Sequence, residues 1–329
     1  MTITEIRILP PLAIGRLGAS PHPLENYEFV APASALGLPT IVPGESLEVK
    51  SDGTIGRTYK PDILLFRDGD QIRPVAPFLE VFARIGTDDE LVPLTAPMLE
   101  QYGATVTWAV IVGNNKIARR TGDPNDGIVA VLPSVTDHAR HDLLATSPHF
   151  RAGQVLPLGS VRYICPTAEF PEIRLRFTPA AGLVYGAADR RKILLPDNQV
   201  GEERDPILSP ERILYDSDPG KGTWRGYIDP TSGPKAPYDT NPAQIYAGFS
   251  NDKGEWESWG YLDDECDGII AVSLTIAGQE DLGAFARIGA GPPTFAPDRT
   301  PIRTVADELD QALSGPVIQP GQATGAELH

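Results

Sequence analysis

ATVTWAVIVGN, residues Ala104–Asn114, places Val106, Trp108, Val110 and Val112 on one face of an extended chain. Thr105, Thr107, Ala109 and Ile111 fall on the other. A period of two is the mark of a strand with one buried face. EIRLRF (172–177) repeats the pattern, with Ile173, Leu175 and Phe177 opposite Glu172, Arg174 and Arg176. GIIAVSLTI (268–276) aligns Ile270, Val272, Leu274 and Ile276. PFLEVFARI (77–85), VLPLGSVRYIC (155–165) and ITEIRIL (Ile3–Leu9) also read as strands. KSDGT (50–54), RDGDQ (67–71) and GDPNDG (122–127) supply turn chemistry between them. The expected fold is mainly β: a multi-stranded antiparallel, sandwich-like architecture with a few short helices and long Pro/Gly-rich loops.

Helical signals are few. After Pro301, the residues Ile302, Val305, Ala306, Leu309, Ala312 and Leu313 form a 3.6-period stripe closed by Gly315–Pro316. LTAPMLEQYG (94–103) is a short candidate ended by glycine, and VTDHARHDLLAT (135–146) is a third. The organisation expected is a β-rich region over 1–153 and a second over 154–313, with a soft boundary that leaves one domain open. The second region holds a polar, proline-rich irregular insert at 189–241 and the terminal helix. Residues 314–329 are expected to form a disordered tail.

Composition narrows the function classes. The 329 residues include 28 Lys and Arg against 44 Asp and Glu, a net charge of −16. No basic footprint for nucleic acid or anionic lipid exists at that balance. Gly (32) and Pro (33) together make about a fifth of the chain, which excludes a helix bundle. Two cysteines, Cys165 and Cys266, do not make a secreted disulfide framework, though one bridge between them stays open. The N-terminus lacks a signal-peptide pattern and no apolar run approaches a membrane span, so the expectation is a cytoplasmic protein with no membrane partner. No GxGxxG, GxxxxGK[ST] or GxSxG stands in the sequence.

Three clusters bear chemical groups. His138 and His141, three apart and followed by Asp142 and His149, share a face if the segment is helical and form a candidate metal pair. Solvated histidines on an exposed turn are the plain alternative. LDDECDG (262–268) gathers Asp263, Asp264, Glu265 and Asp267 before a strand. Such hard oxygens suit Ca²⁺, but their register is not that of an EF-hand, and a turn whose carboxylates accept backbone N–H groups explains them equally. Cys266 lies among these carboxylates, which oppose thiolate formation. Cys165 closes an apolar strand pattern and is expected in the core.

Four stretches read in order resemble one family. They are IRILPPLAIGRLGASP (6–21), VTWAVIVGNNKIA (106–118), WGYLDDECDGIIAVSL (259–274) and GPPTFAPDRTPIRTVADEL (291–309). Together they are similar to the N-terminal half of the lysine epsilon-oxidase/glycine oxidase family. The resemblance implies oxidative deamination of an amino acid by water and oxygen, giving a carbonyl product, ammonia and hydrogen peroxide. The reacting carbonyl in that family belongs to a cysteine tryptophylquinone, built from a Cys and a Trp of the protein with help from a flavoprotein. Those residues and the base lie in the family's C-terminal half, so no catalytic residue carries over to this chain.

The resemblance therefore implies a non-catalytic subunit or scaffold with no cofactor of its own. Its expected partners are a quinone-bearing catalytic chain, a flavoprotein of maturation, or further copies of itself. A self-made quinone would pair Cys165 or Cys266 with Trp108, Trp224, Trp256 or Trp259. Its best local set is Cys266 with Trp259, with Asp263, Asp264 or Asp267 as base. A self-contained enzyme with a carboxylate or metal site at Asp263, Asp264 and Asp267, or a plain protein-binding module, are the alternatives.

Overall fold

The computed structural model describes residues 2–30, 40–87, 90–187, 190–195, 199–204, 208–215, 249–250, 256–257 and 260–292. The core strands, in chain order, are β1 (Ile3–Leu9), β2 (Leu12–Arg16), β3 (Phe78–Ile85), β4 (Leu91–Pro93), β5 (Ala104–Asn114), β6 (Ile128–Val135), β7 (Arg140–Ala145), β8 (Leu156–Tyr163), β9 (Arg174–Thr178), β10 (Cys266–Ile276) and β11 (Leu282–Gly291). Two short helices, α1 (Ala96–Tyr102) and α2 (Lys116–Thr121), flank β5.

The strands form two sheets. One is six-stranded, in the order β1-β3-β9-β8-β7, with β4 also on β3. The other is five-stranded, in the order β6-β5-β10-β11-β2. Every pairing is antiparallel except β2 with β11, which is parallel. A single buried cluster joins Leu79 and Val81 of β3 and Leu175 and Phe177 of β9 to Trp108 and Val110 of β5 and Ile270 and Val272 of β10. These are the residues that the period-two pattern aligns. Each fully buried side chain of this size contributes about 1.5–3 kcal/mol. The mainly β, antiparallel, sandwich-like class is the one found.

The soft boundary expected near residue 153 falls between β7 and β8. β5, β6 and β7 precede it, β8 to β11 follow it, and both sheets and the shared cluster take strands from either side.

The segment expected to be helical over 135–146 is instead the end of β6, a turn and β7. Asp137 turns the chain by accepting the Ala139 N–H at 2.9 Å, and β7 then pairs with β8. Leu143 and Ala145 point into the core. The cross-strand ladder and this burial outweigh the local helical spacing. The helix expected over 94–103 is α1, which begins after Thr95 and ends on Gly103 in the left-handed conformation. α2 answers no expectation. The insert at 189–241 contains a hairpin, Arg190–Leu194 with Val200–Arg204, and a turn at Pro210–Arg212. Most of its remainder, the terminal helix expected at 302–313 and the tail at 314–329 lie outside the described residues, as does most of the fourth resembling stretch.

The first resembling stretch crosses from sheet to sheet. β1 ends at a cis Leu9–Pro10 bond and β2 begins two residues later in the opposite sheet. Gly18, beyond β2, passes so close to the chain at 72–74 that a Cβ would stand 2.5 Å from Pro74 N and 2.6 Å from Ile72 O. Only glycine fits such an approach.

Candidate functional site

The acidic turn at 262–267 is where two of the resembling stretches meet. β10 pairs with β5 so that Asp267 stands opposite Gly113. That register brings Asp263 and Glu265 alongside the end of β5 and the start of α2. Lys116 and Arg119 lie three apart on α2 and so share a face of it.

Asn114, buried at the end of β5, donates from Nδ2 to the Asp263 carbonyl at 2.9 Å and to Asp263 Oδ1 at 2.8 Å. Its own Oδ1 accepts the Lys116 N–H at 3.2 Å. Lys116 Nζ pairs with Asp263 Oδ2 and, at 2.6 Å, with Glu265 Oε2. Partial burial acts to lower the Lys116 ammonium, but the two carboxylates outweigh it and hold it above its ordinary range. Arg119 Nη2 meets Asp267 Oδ2 at 2.5 Å on the exposed rim. Asp263, Glu265 and Asp267 thus each have a cation, and Asp263 is itself buried.

Asp264 is fully buried and engages a different segment. Its Oδ2 accepts the Gly182 N–H at 3.0 Å and the Leu183 N–H at 2.9 Å. Its Oδ1 is buried without a hydrogen-bond partner among the described residues. Burial pushes the carboxyl up to about 7; the two backbone donors act against that and neighbouring Asp263 adds to it. Alongside, Val184–Tyr185 pairs with Leu262–Asp263. The turn is therefore fastened to both 114–119 and 182–185.

Cys266 points inward from β10 and offers its thiol to the Leu158 carbonyl at 3.6 Å. Burial first, then Asp267, Asp264 and Glu265, push it up to about 12. A thiol so placed is not a nucleophile near neutral pH. Trp259, its expected partner in a quinone, lies outside the described residues, as does Trp224. Trp256 contributes a backbone pairing with Ser250, and Trp108 is buried in the core.

The histidines do not converge. In the turn before β7, His138 Nδ1 lies 3.0 Å from the Tyr163 carbonyl, while on β7 His141 Nε2 lies 2.7 Å from Asp137 Oδ1. His149 Nε2 is 3.0 Å from buried Asp126. Among the described residues, no group of three or more His, Cys, Asp or Glu side chains is set to hold a metal ion. Cys165 is half-buried at the sheet margin, not in the core, and both cysteines are free thiols. No helix among the described residues is long and apolar enough to cross a membrane.

The turn was visible in the sequence as a run of carboxylates. Its partners Asn114 and Lys116 were not, because they stand 149 and 147 residues away from Asp263. The signal that linked them was the resemblance, whose second stretch contains both.

No family model matches the sequence, and no curated protein does. Forty-six chains of solved structures match. One is the L-Lys epsilon-oxidase of Marinomonas mediterranea as the Schiff base intermediate with L-Lys, at 16% identity and a TM-score of 0.47, over 97% of this chain and 41% of that one. Another structure of that organism's L-Lys epsilon-oxidase aligns at 17% identity and 0.46, over 97% and 41%. A third, named epsilon-lysine oxidase, aligns at 16% and 0.45, over 94% and 39%. This chain spans about two fifths of the length of those structures, and its similarity to them is a distant structural relation.

Proposed function

We propose that this chain is a β-sandwich scaffold related to the N-terminal region of the quinoprotein amino-acid oxidases, and that it acts as a non-catalytic subunit. A separate chain carries the quinone and performs the oxidative deamination, and a flavoprotein matures that chain. One observation carries the reading. The polar residues of the two resembling stretches that meet in the fold are spent on structure. Asn114, Lys116 and Asp263 bond one another in a largely buried knot, and Asp264 holds two backbone N–H groups. The Cys266 thiol is buried and pushed up to about 12.

The docking half of the reading rests on the outer face of the five-stranded sheet. Val131, Ile111, Ile269, Arg287 and Leu12 fall in one lateral row across all five strands. Phe285, opposite Ala271, and Ile14 flank that row. Apart from Arg287 these are exposed large apolar side chains. A contiguous patch of this kind marks a surface that a partner covers.

The test is the chain purified alone, offered a panel of amino acids and assayed for hydrogen peroxide and for quinone redox-cycling stain. Neither signal is expected. A stained band on this chain, with peroxide release, would overturn the scaffold reading and make Cys266 the first residue to pursue. The raised Asp264 carboxyl favours a second reading, a self-contained acid/base site in the same turn. A substrate-dependent activity of the isolated chain that Asp264→Asn abolishes would establish it.

A further inference from the structure

A second polar centre lies on the opposite side of the sandwich from the knot's sheet and takes no part in the scaffold reading. The hairpin of Ser46–Val49 and Ile55–Tyr59 lies near the outer face of the six-stranded sheet. A cleft of about 700 Å³ opens there, lined by Arg176, Phe78, Tyr59, Leu47, Val75 and Glu25 among others.

Three arginines border this region, and two have carboxylates of their own. Arg73 grips Glu25 with both terminal nitrogens, at 2.6 and 2.8 Å, and also bonds the Pro23 and Leu65 carbonyls. Arg174 meets Glu80 at 2.7 Å and Glu172 at 2.9 Å. Arg176 has neither. Its Nε donates to the Ala76 carbonyl at 3.3 Å, and its guanidinium carbon lies 4.7 Å from the centre of the Phe78 ring. Nη1 and Nη2 have no hydrogen-bond partner among the described residues.

The acids around the cleft do not supply one. Glu25 and Glu80 are held as above, and Glu48 is held by Arg57 at 2.7 Å. Glu45 stands exposed at the rim. Across the strand pair, Arg176 stands in register with Arg162, which bonds the His138 and Ser51 carbonyls, so its cross-strand neighbour supplies no carboxylate. Burial presses the Arg176 guanidinium down to about 10, with only the Tyr59 phenol acting against it. A guanidinium held over an aromatic ring, with its outer fork unfilled, matches a planar carboxylate.

We propose that this cleft binds a small organic carboxylate, anchored by the Arg176 fork, with its apolar body against Phe78, Tyr59, Leu47 and Val75. The apolar part of the lining, Phe78, Tyr59, Leu47 and Val75, favours a carboxylate bearing a ring or hydrocarbon chain over a bare inorganic anion. Arg73 and Glu25 form the neutral polar side of the site.

Equilibrium dialysis of the full chain with benzoate, benzamide and inorganic phosphate tests this. Benzoate is expected to bind saturably at one site, at least about tenfold more tightly than benzamide or phosphate. Arg176→Met is expected to weaken benzoate by about tenfold or more while leaving the circular dichroism spectrum unchanged, with Arg176→Lys in between. Equal binding of benzoate and benzamide would overturn the proposal, as would undiminished benzoate binding by a folded Arg176→Met. Tighter phosphate than benzoate would overturn the carboxylate assignment. Should Arg176→Met fail to fold, the three-ligand comparison on the wild-type chain decides alone.

Discussion

Asp264 holds two backbone N–H groups with one oxygen, while the other is buried without a hydrogen-bond partner among the described residues. Its carboxyl stands near 7 in the fold, against an ordinary 3.8. Between those values the folded chain keeps a proton that the unfolded chain has released. The contribution is therefore fully present below about pH 4 and is lost as pH rises through about 7, by on the order of 4 kcal/mol at most. Urea denaturation of the wild type across that window should show stability falling as pH rises relative to Asp264→Asn, which lacks the titration. Parallel pH profiles for the two would contradict the assignment. Asn114 makes a different kind of demand. Asn114→Ala removes both donors to Asp263 and the acceptor for Lys116 N–H, and leaves a buried carboxylate short of partners. It is expected to cost about 2–3 kcal/mol, read as a lowered urea midpoint at unchanged slope.

At the scale of elements, the β5–β10 pairing sets the knot, and Gly268 allows that pairing to be close. A Cβ at Gly268 would stand 2.4 Å from the Ile111 carbonyl oxygen and 2.6 Å from Val112 Cγ1. Gly268→Ala is expected to destabilise by about 1–3 kcal/mol, measurable by thermal unfolding. The strands themselves were legible. Ala104–Asn114 runs as its alternation says, and Ile173, Leu175 and Phe177 are all buried. The turn residues at 50–54 and 67–71 close hairpins in the fold. What local pattern did not carry was pairing over distance. The 135–146 segment becomes a turn and a strand because β8 is there to receive β7. α2 runs for only 6 residues, too few for a periodic signal. Asp263 looked like part of a self-contained acidic turn because its partners come from another strand and the following helix. The Arg176 cleft was hidden for the same reason: its walls come from the chain near 24–27, 46–59 and 73–80.

For the molecule as a whole, the two faces of the sandwich have separate characters. One sheet's outer side carries a cleft with an unmatched cation, and the other presents a broad apolar surface. Ile111→Lys and Phe285→Lys replace exposed side chains and should change stability by no more than about 0.5 kcal/mol. They should also shorten retention on a phenyl column, and unchanged retention would show that this face is not the sticky one. The central claim is that the shared acidic turn is a fastening rather than a redox centre. The most direct measurement is a count of titratable thiols in the chain, first native and then fully unfolded under reducing pretreatment. The account predicts two thiols in the unfolded chain, with Cys266 unreactive until unfolding. A single thiol in the unfolded chain, its missing sulfur found bonded to an indole by peptide mass analysis, would contradict it.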